Sequence, residues 1–237
     1  MTKSREKKTV GFPGFPSGAL PFLEELSANN NREWFQDNKQ RYEDLVRNPA
    51  LDFIGAMGPR LEKISTRFEA IPKRSGGSLM RVYRDTRFGY DKTPYKTNIG
   101  IQFRHALGKD IHAPGFYVHI EPHDVFVGVG SWRPDSTSLA KIRARIVEKP
   151  DHWREVVQNK VFGRHFELVG DALKRPPRGY DRDHPLIDVL KRKDFIAIKR
   201  LGEADIQSPR FLDDAVKRFR DGLPLMTFLC KALEIPV

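Results

Sequence analysis

The chain has 237 residues, of which 39% are hydrophobic, and its formal net charge is +11. This length suits one large domain or two small ones, and the apolar content is sufficient for a core. No apolar run reaches the ~18 residues of a transmembrane helix, and no hydrophobic stretch follows the basic N-terminus, so we expect neither a membrane span nor a signal peptide. The lone Cys230 excludes an intramolecular disulfide and fits a reducing compartment, so we expect a cytoplasmic protein.

The positive charge is the first indication of a partner. An excess of lysine and arginine favours encounter with nucleic acid, nucleotides or other anions. Solubility alone would produce the same composition, so the charge does not decide between a binding protein and any other basic protein.

The first third of the sequence predicts a helical layer behind a basic tail. Residues 1–10 are polar and basic without an apolar period, which indicates a disordered segment. A helix is expected after a Pro-rich extended lead-in, with Ser17 as its N-cap. Asn30 or Asn31 is expected to cap the next helix, and the alternative for residues 29–34 is the edge of a pocket.

The middle third changes to the period of a strand. Apolar and polar residues alternate in three segments, which predicts antiparallel strands at 98–103, 116–120 and 125–129. Gly128, Gly130 and Pro134 are expected to break the third strand before a helix begins near Ser136, because glycine and proline are unfavourable inside strands.

The last third mixes both patterns. It predicts, in order, a helix from Pro150, a short strand at 166–169, a basic loop at 174–179, a short helix from His184, a strand at 194–199 and helices between 209 and 233. Helices, then a meander, then mixed elements predict an α+β protein with a helical N-terminal layer packed on a mostly antiparallel sheet, as a single domain over residues 11–237.

Residues 81–96, here called the signature segment, carry the densest chemistry of the chain. The segment combines five cations and two carboxylates with interleaved aromatic rings: Arg81, Arg84, Arg87, Lys92 and Lys96, Asp85 and Asp91, and Tyr83, Phe88, Tyr90 and Tyr95. A solvated helix face rarely carries so many aromatic residues, and a core strand rarely carries so many charges. The mixture suits a site for an anion, and it suits a buried ion-pair network almost as well.

The residue types define three alternatives for this segment. The planar arginine fork offers paired donors to phosphate or carboxylate, which predicts ligand contacts from Arg81, Arg84, Arg87, Lys92, Tyr95 and Lys96. Asp85 and Asp91 would then orient the cations, or would act as catalytic acid or base in a hydrolase or transferase for a small phosphorylated or carboxylated substrate. The third alternative is an interaction module whose charged network is purely structural. The favoured interpretation is a phosphate-bearing ligand, a nucleotide or nucleic acid, and no cofactor or oligomeric state is assigned.

A further group of polar residues has the composition of a metal site. His119, Glu121 and His123 alternate and would share one face of a strand, as zinc or iron ligands do. Pro122 and Asp124 indicate that His123 already belongs to a turn. We therefore interpret the row as the solvent-facing side of a hairpin and predict no metal.

The signature segment also resembles a known family. The pattern Arg81-x-x-Arg84-Asp85-x-Arg87-Phe88 followed by Asp91-Lys92-x-x-Tyr95 is similar to the signature of the Domain of Unknown Function 2461 family. Further similarities at residues 22–42, 117–134, 194–195 and 224–225 extend the resemblance over nearly the whole chain from Phe12. The resemblance implies a single domain found in bacteria and some fungi, supports the choice of site and supplies no reaction.

Overall fold

A computed structural model describes residues 11–87, 90–107 and 113–237. The strands of these residues form one antiparallel sheet in the order β1-β2-β3-β4-β6-β5. Their bounds are β1 Phe68–Glu69, β2 Ile99–His105, β3 Gly115–Glu121, β4 Asp124–Ser131, β5 Glu167–Val169 and β6 Phe195–Leu201. The predicted α+β class and the predicted single domain are confirmed.

Helices precede and follow the meander of β2, β3 and β4. Before it lie α1 Ala19–Ala28, α2 Arg32–Asp37, α3 Lys39–Tyr42, a π-helical turn Glu43–Arg47 and α4 Asn48–Glu62. After it lie α5 Ser136–Glu148, α6 Pro150–Gln158, α7 Lys160–His165, α8 Ile187–Leu190, α9 Glu203–Ile206, α10 Phe211–Asp221 and α11 Leu223–Ala232. Among the described helices, none is both long and apolar enough to cross a membrane.

One hydrophobic core lies between the helices and one face of the sheet. The alternating residues of the central strands supply the sheet side, for example Phe103, Phe116 and Val127, which are fully buried. Helix α10 inserts Phe219 between the rings of Phe103 and Phe116, with ring centroids 5.8 and 4.8 Å away. Such aromatic contacts add specific geometry to the burial of apolar area. The opposite face of the sheet does not contribute to this core.

One prediction of a helix cap is wrong, and one open alternative is resolved. Ser17 does not cap the first helix, because α1 begins after Gly18 and has no side-chain cap. Asn31, rather than Asn30, caps α2, since its side chain accepts a hydrogen bond from the N–H of Trp34 at 2.9 Å. Asn30 is thereby left to bind elsewhere.

The predicted break of the third strand at Gly128 and Gly130 is wrong. Strand β4 continues through both glycines to Ser131, because it pairs with β3 on one side and β6 on the other. Pairing on both edges outweighs the weak strand preference of glycine. At Gly130 the backbone has φ +126°, and a Cβ atom would lie 2.0 Å from the carbonyl oxygen of Phe195. Only glycine fits this position.

Two predictions lie outside the described residues: the disordered tail at 1–10, and Phe88 in the signature segment.

The lone Cys230 is fully buried in α11, as its apolar surroundings in the sequence predict.

Candidate functional site

The signature segment folds back on itself as an irregular hairpin. The N–H of Arg84 donates to the carbonyl of Pro94 at 2.9 Å, and the N–H of Lys96 donates to the carbonyl of Val82 at 2.7 Å. Tyr83 and Tyr95 face each other as an antiparallel bridge between these bonds. The base of the hairpin is therefore ordered by backbone pairing, and the charged residues between the two arms form its tip.

Asn30 fastens this hairpin to the helical layer. Its side-chain amide donates to the carbonyl of Tyr95 at 2.9 Å and accepts from the N–H of Tyr95 at 3.0 Å, as a neighbouring strand would. The ring of Tyr95 is 2% exposed and stacks on Phe35 of α2, with centroids 4.0 Å apart. The junction of α1 and α2 is thus held against the hairpin.

A pocket of about 590 Å³ opens between that junction and the hairpin. We call it the signature pocket. Its lining is mostly polar and includes Asn30, Asn31, Arg32, Gln36, Tyr83, Arg84, Thr86, Lys92, Pro94 and Tyr95. Of the predicted ligand residues, Arg84, Lys92 and Tyr95 therefore meet at one cavity.

The cations of the pocket are only partly satisfied by the protein. Arg84 forms an ion pair with Asp91, and its Nη2 lies 3.5 Å from the carbonyl oxygen of Tyr95. The Nε of Arg84 is buried and has no hydrogen-bond partner among the described residues. Lys92 donates from Nζ to the carbonyl of Thr86 at 2.8 Å, which closes the hairpin tip. Each of these two cations retains donors that are not used.

Among the three cations that line the described pocket, Arg32 is the one outside the motif. It begins α2, lines the pocket and forms no ion pair with any residue in the described ranges. Its positive charge favours the ionised form of the Tyr95 hydroxyl, although burial, the larger effect, raises the pKa of Tyr95 above its ordinary value. The sequence signal for Arg32 was the polar and aromatic cluster at residues 29–34, for which a pocket edge was the alternative to simple capping.

The two carboxylates of the motif are engaged by neighbouring side chains. Asp85 receives a bidentate contact from Arg87, with Nε–Oδ1 at 3.0 Å and Nη2–Oδ2 at 2.8 Å. These hydrogen bonds hold the pKa of Asp85 well below its ordinary value. Asp91 accepts from the hydroxyl and the N–H of Thr93, which lowers its pKa, with Arg84 as a smaller cause.

These contacts favour orientation over catalysis. A general acid must hold a proton near neutral pH, and a lowered pKa works against that. The Asp85 side chain is 40% exposed, and neither Asp85 nor Asp91 is among the described residues that line the signature pocket. Their catalytic assignment stays a prediction.

The remaining predicted cations do not reach the signature pocket. Arg81 and Arg87 are exposed and are not among its lining residues in the described chain. Lys96 lines a different cavity of about 420 Å³, which lies on the face of the sheet opposite the core. We call this cavity the sheet groove. The signature segment therefore supplies charges to two separate cavities.

The predicted polar row of strand β3 forms a hydrogen-bonded chain. His119 places Nε2 3.1 Å from Glu121 and Nδ1 3.2 Å from the hydroxyl of Tyr117. His123 lies in the turn after β3 with φ +65°, and its Nδ1 is 3.3 Å from Glu203. The described residues contain no group of three or more side chains arranged as metal ligands.

The fold and the cavities define a single α+β domain whose charged hairpin lies between a polar pocket and an apolar groove. The chain belongs to the family described as "Conserved hypothetical protein (DUF2461)", whose model matches residues 18–228. This match confirms the resemblance that the signature segment indicated. No curated protein and no solved structure matches the chain.

Proposed function

We propose that this protein binds a phosphate-bearing ligand, a nucleotide or nucleic acid, in the signature pocket. The observation that carries the proposal is the convergence of Arg32, Arg84 and Lys92 on one polar cavity. Guanidinium groups bind phosphate through paired, charge-assisted hydrogen bonds, and lysine adds a point charge. A cytoplasmic location, which the lone Cys230 predicts, fits such a ligand.

Each residue of the pocket has a role in this proposal. Arg32 and the exposed part of the Arg84 guanidinium contact the phosphate oxygens. Asp91 keeps the Arg84 side chain in place through its ion pair, and Asn30 keeps the hairpin in place through Tyr95. Lys92 contributes charge from the hairpin tip while it remains bonded to Thr86.

Calorimetric titration of the full chain with pyrophosphate and ATP tests the proposal. Arg32→Ala is the informative variant, because Arg32 is exposed and has no described ion pair to lose. We expect it to weaken binding by about tenfold or more, since a hydrogen bond to a charged group contributes about 1.5–3 kcal/mol. Arg164→Ala on α7 is the matched control, because it removes the same charge from an exposed arginine that lies outside the pocket and forms no ion pair with the described residues. Equal losses in both variants, or no binding to the unaltered protein, would overturn the proposal.

Salt dependence separates the two kinds of ligand. If a single-stranded oligonucleotide binds through three cations, the logarithm of its affinity should fall with the logarithm of salt with a slope of about −2. Tight binding of ATP with weak binding of the oligonucleotide would identify a nucleotide pocket, and the reverse order would identify a nucleic-acid surface.

A purely structural role is the competing function, and one observation favours it. The hairpin tip satisfies many of its own charges through the pairs Arg87–Asp85, Arg84–Asp91 and Lys92–Thr86. In that case Arg84→Ala lowers the unfolding temperature, and Arg32→Ala changes neither stability nor phosphate binding. The Arg32 variant therefore decides between the two functions without depending on a destabilised protein.

A further inference from the structure

We propose that the sheet groove is a second binding site, for a small monocarboxylate with an apolar body. The carboxylate would pair with Lys96 at one end, and the apolar body would lie across the face of the central strands opposite the core. This site is distinct from the signature pocket, and its argument does not depend on the phosphate proposal.

Glycines form the floor of the groove. The strand register aligns Gln102, Tyr117, Gly128 and Ile198 in one row across β2, β3, β4 and β6. The next row contains Arg104 of β2, then Gly115, Gly130 and Ile196. Large side chains at these positions would cover the sheet, whereas glycines leave a depression between the flanking residues. The volume of about 420 Å³ falls within the range of small-molecule sites, about 300–1,000 Å³.

Apolar and aromatic side chains form the walls. Ile198 is buried, yet it lies outside the hydrophobic core because it points to the opposite face of the sheet. Phe126 stacks on the ring of His119, with centroids 4.6 Å apart. Trp132 is 47% exposed at the rim, and the guanidinium of Arg133 lies 4.9 Å from its ring centroid. An apolar ligand would remove the exposed parts of Phe126 and Trp132 from water, which stabilises a complex.

Lys96 gives the groove its charge. It is partly buried and forms no ion pair or hydrogen bond through its ammonium group with any residue of the described chain. Burial lowers the pKa of Lys96, and the nearby charges of Arg81 and Arg84 lower it further. A partly buried charge without a protein partner has lost some of its hydration, so an anion beside Lys96 would gain from compensating it.

Neutral hydrogen-bonding groups surround this charge. Asn98 and Tyr117 line the groove, and the amide nitrogen of Asn98 lies 3.3 Å from Nδ1 of His119. Since Nε2 of His119 faces the carboxylate of Glu121, the network assigns the proton to Nε2 and leaves Nδ1 as an acceptor. Burial raises the pKa of Tyr117 to about 12, which keeps its hydroxyl protonated.

The count of charges selects the ligand class. Lys96 is the only lysine or arginine among the described residues that line the groove, whereas three such residues line the signature pocket. One ammonium group balances a monocarboxylate and leaves a phosphate dianion uncompensated. The mainly apolar walls require a body such as an alkyl chain or an aryl-alkyl group rather than a sugar.

Titration of the full chain with octanoate, decanoate and 4-phenylbutyrate tests this inference, with the corresponding primary alcohols as neutral probes. We expect at least one acid to bind more tightly than its alcohol. Lys96→Met should weaken that acid by about tenfold to hundredfold and remove the difference from the alcohol. Because Met keeps the length of the side chain and removes the poorly compensated charge, this variant should fold normally.

Gly128→Leu is the second variant, and it blocks the groove instead of neutralising it. A Cβ atom at Gly128 would meet Ile198 at 3.6 Å and Tyr117 at 3.8 Å, which are ordinary contacts, so the backbone accepts a side chain there. The added side chain should abolish binding of both acid and alcohol, while pyrophosphate binding at the signature pocket stays unchanged. Arg32→Ala should show the opposite pattern.

Three results would overturn the inference. The first is that none of the acids binds. The second is that acid and alcohol bind equally to the unaltered protein, which would exclude a role for the charge of Lys96. The third is that Gly128→Leu binds the acids as tightly as the unaltered protein while retaining its thermal stability.

Discussion

Three consecutive asparagines offer a stringent test of how the signature segment is held. Asn29, Asn30 and Asn31 share one chemistry and have three different partners. Asn29 donates to the carbonyl of Glu25 on the surface, Asn31 caps α2, and Asn30 makes two hydrogen bonds to the backbone of Tyr95. Replacing each with alanine removes the same amide group, so the differences in stability should report the partners.

Asn30→Ala should be the most destabilising of the three. It removes two hydrogen bonds and leaves the N–H of Tyr95 without its partner, in a residue that is 2% exposed. A buried orphan donor costs about 1–3 kcal/mol and each net hydrogen bond contributes about 1 kcal/mol, so we expect a total loss of about 2–4 kcal/mol. Loss of the Asn31 cap should cost about 1 kcal/mol. The exposed Asn29→Ala change should lie within about 0.5 kcal/mol of zero.

Thermal and urea unfolding of the three variants measures this series. For a chain of this length, where 1 kcal/mol corresponds to about 2–4 °C, the loss at Asn30 should lower the unfolding temperature by about 4–16 °C. Pyrophosphate affinity should fall in parallel, because the hairpin forms one wall of the signature pocket. If Asn30→Ala unfolds at the same temperature as Asn29→Ala, the hairpin is not anchored through Asn30 and the reasoning is refuted.

Three further results should follow. In urea unfolding, Gly130→Ala should lower the free energy of unfolding by more than about 3 kcal/mol, because its Cβ would collide with the Phe195 carbonyl. Gly179→Ala should lower it by about 1–2 kcal/mol, because Gly179 has φ +88° but open space around it. Equal losses in the two variants would refute the steric argument. Because the pKa of Asp85 is lowered in the folded protein, its contribution to stability should be complete above the unfolded-state pKa of about 3.9 and should be lost as the pH falls below that value. An NMR titration of the Asp85 carboxyl with an ordinary midpoint would contradict this prediction. Burial raises the pKa of Cys230 to about 12, so its thiol should react with a disulfide reagent only as fast as the protein unfolds. Rapid labelling of the folded protein would contradict the burial of Cys230 in α11.

The fold was largely predictable because its elements carry clear periods. The alternation of the central strands and the helical spacing of the flanking segments gave the α+β class and the antiparallel meander. The errors at Gly128 and Gly130 arose because local propensity opposes a strand there, while pairing with both neighbours favours it. Strand propensity depends on the local sequence, whereas the position of β4 between β3 and β6 depends on residues that are distant in the sequence.

The candidate site was predictable in composition and not in arrangement. The density of arginine, lysine and aromatic residues selected the right segment for a cavity wall. Its division between two cavities depends on where each side chain points in the folded hairpin: Arg84 and Lys92 line the signature pocket, and Lys96 lines the sheet groove. Arg32 lies at the start of α2, far from the signature segment in the sequence, so only tertiary packing brings it to the signature pocket.

A two-probe NMR titration tests the central claim most directly, namely that the signature segment serves two different cavities. Pyrophosphate should shift the amide signals of Arg32, Thr86 and Lys92, and decanoate should shift those of Gly128 and Gly130, with each ligand leaving the other set unchanged. If both ligands shift the same set, or if neither shifts its own, the signature segment does not divide its charges between two binding sites.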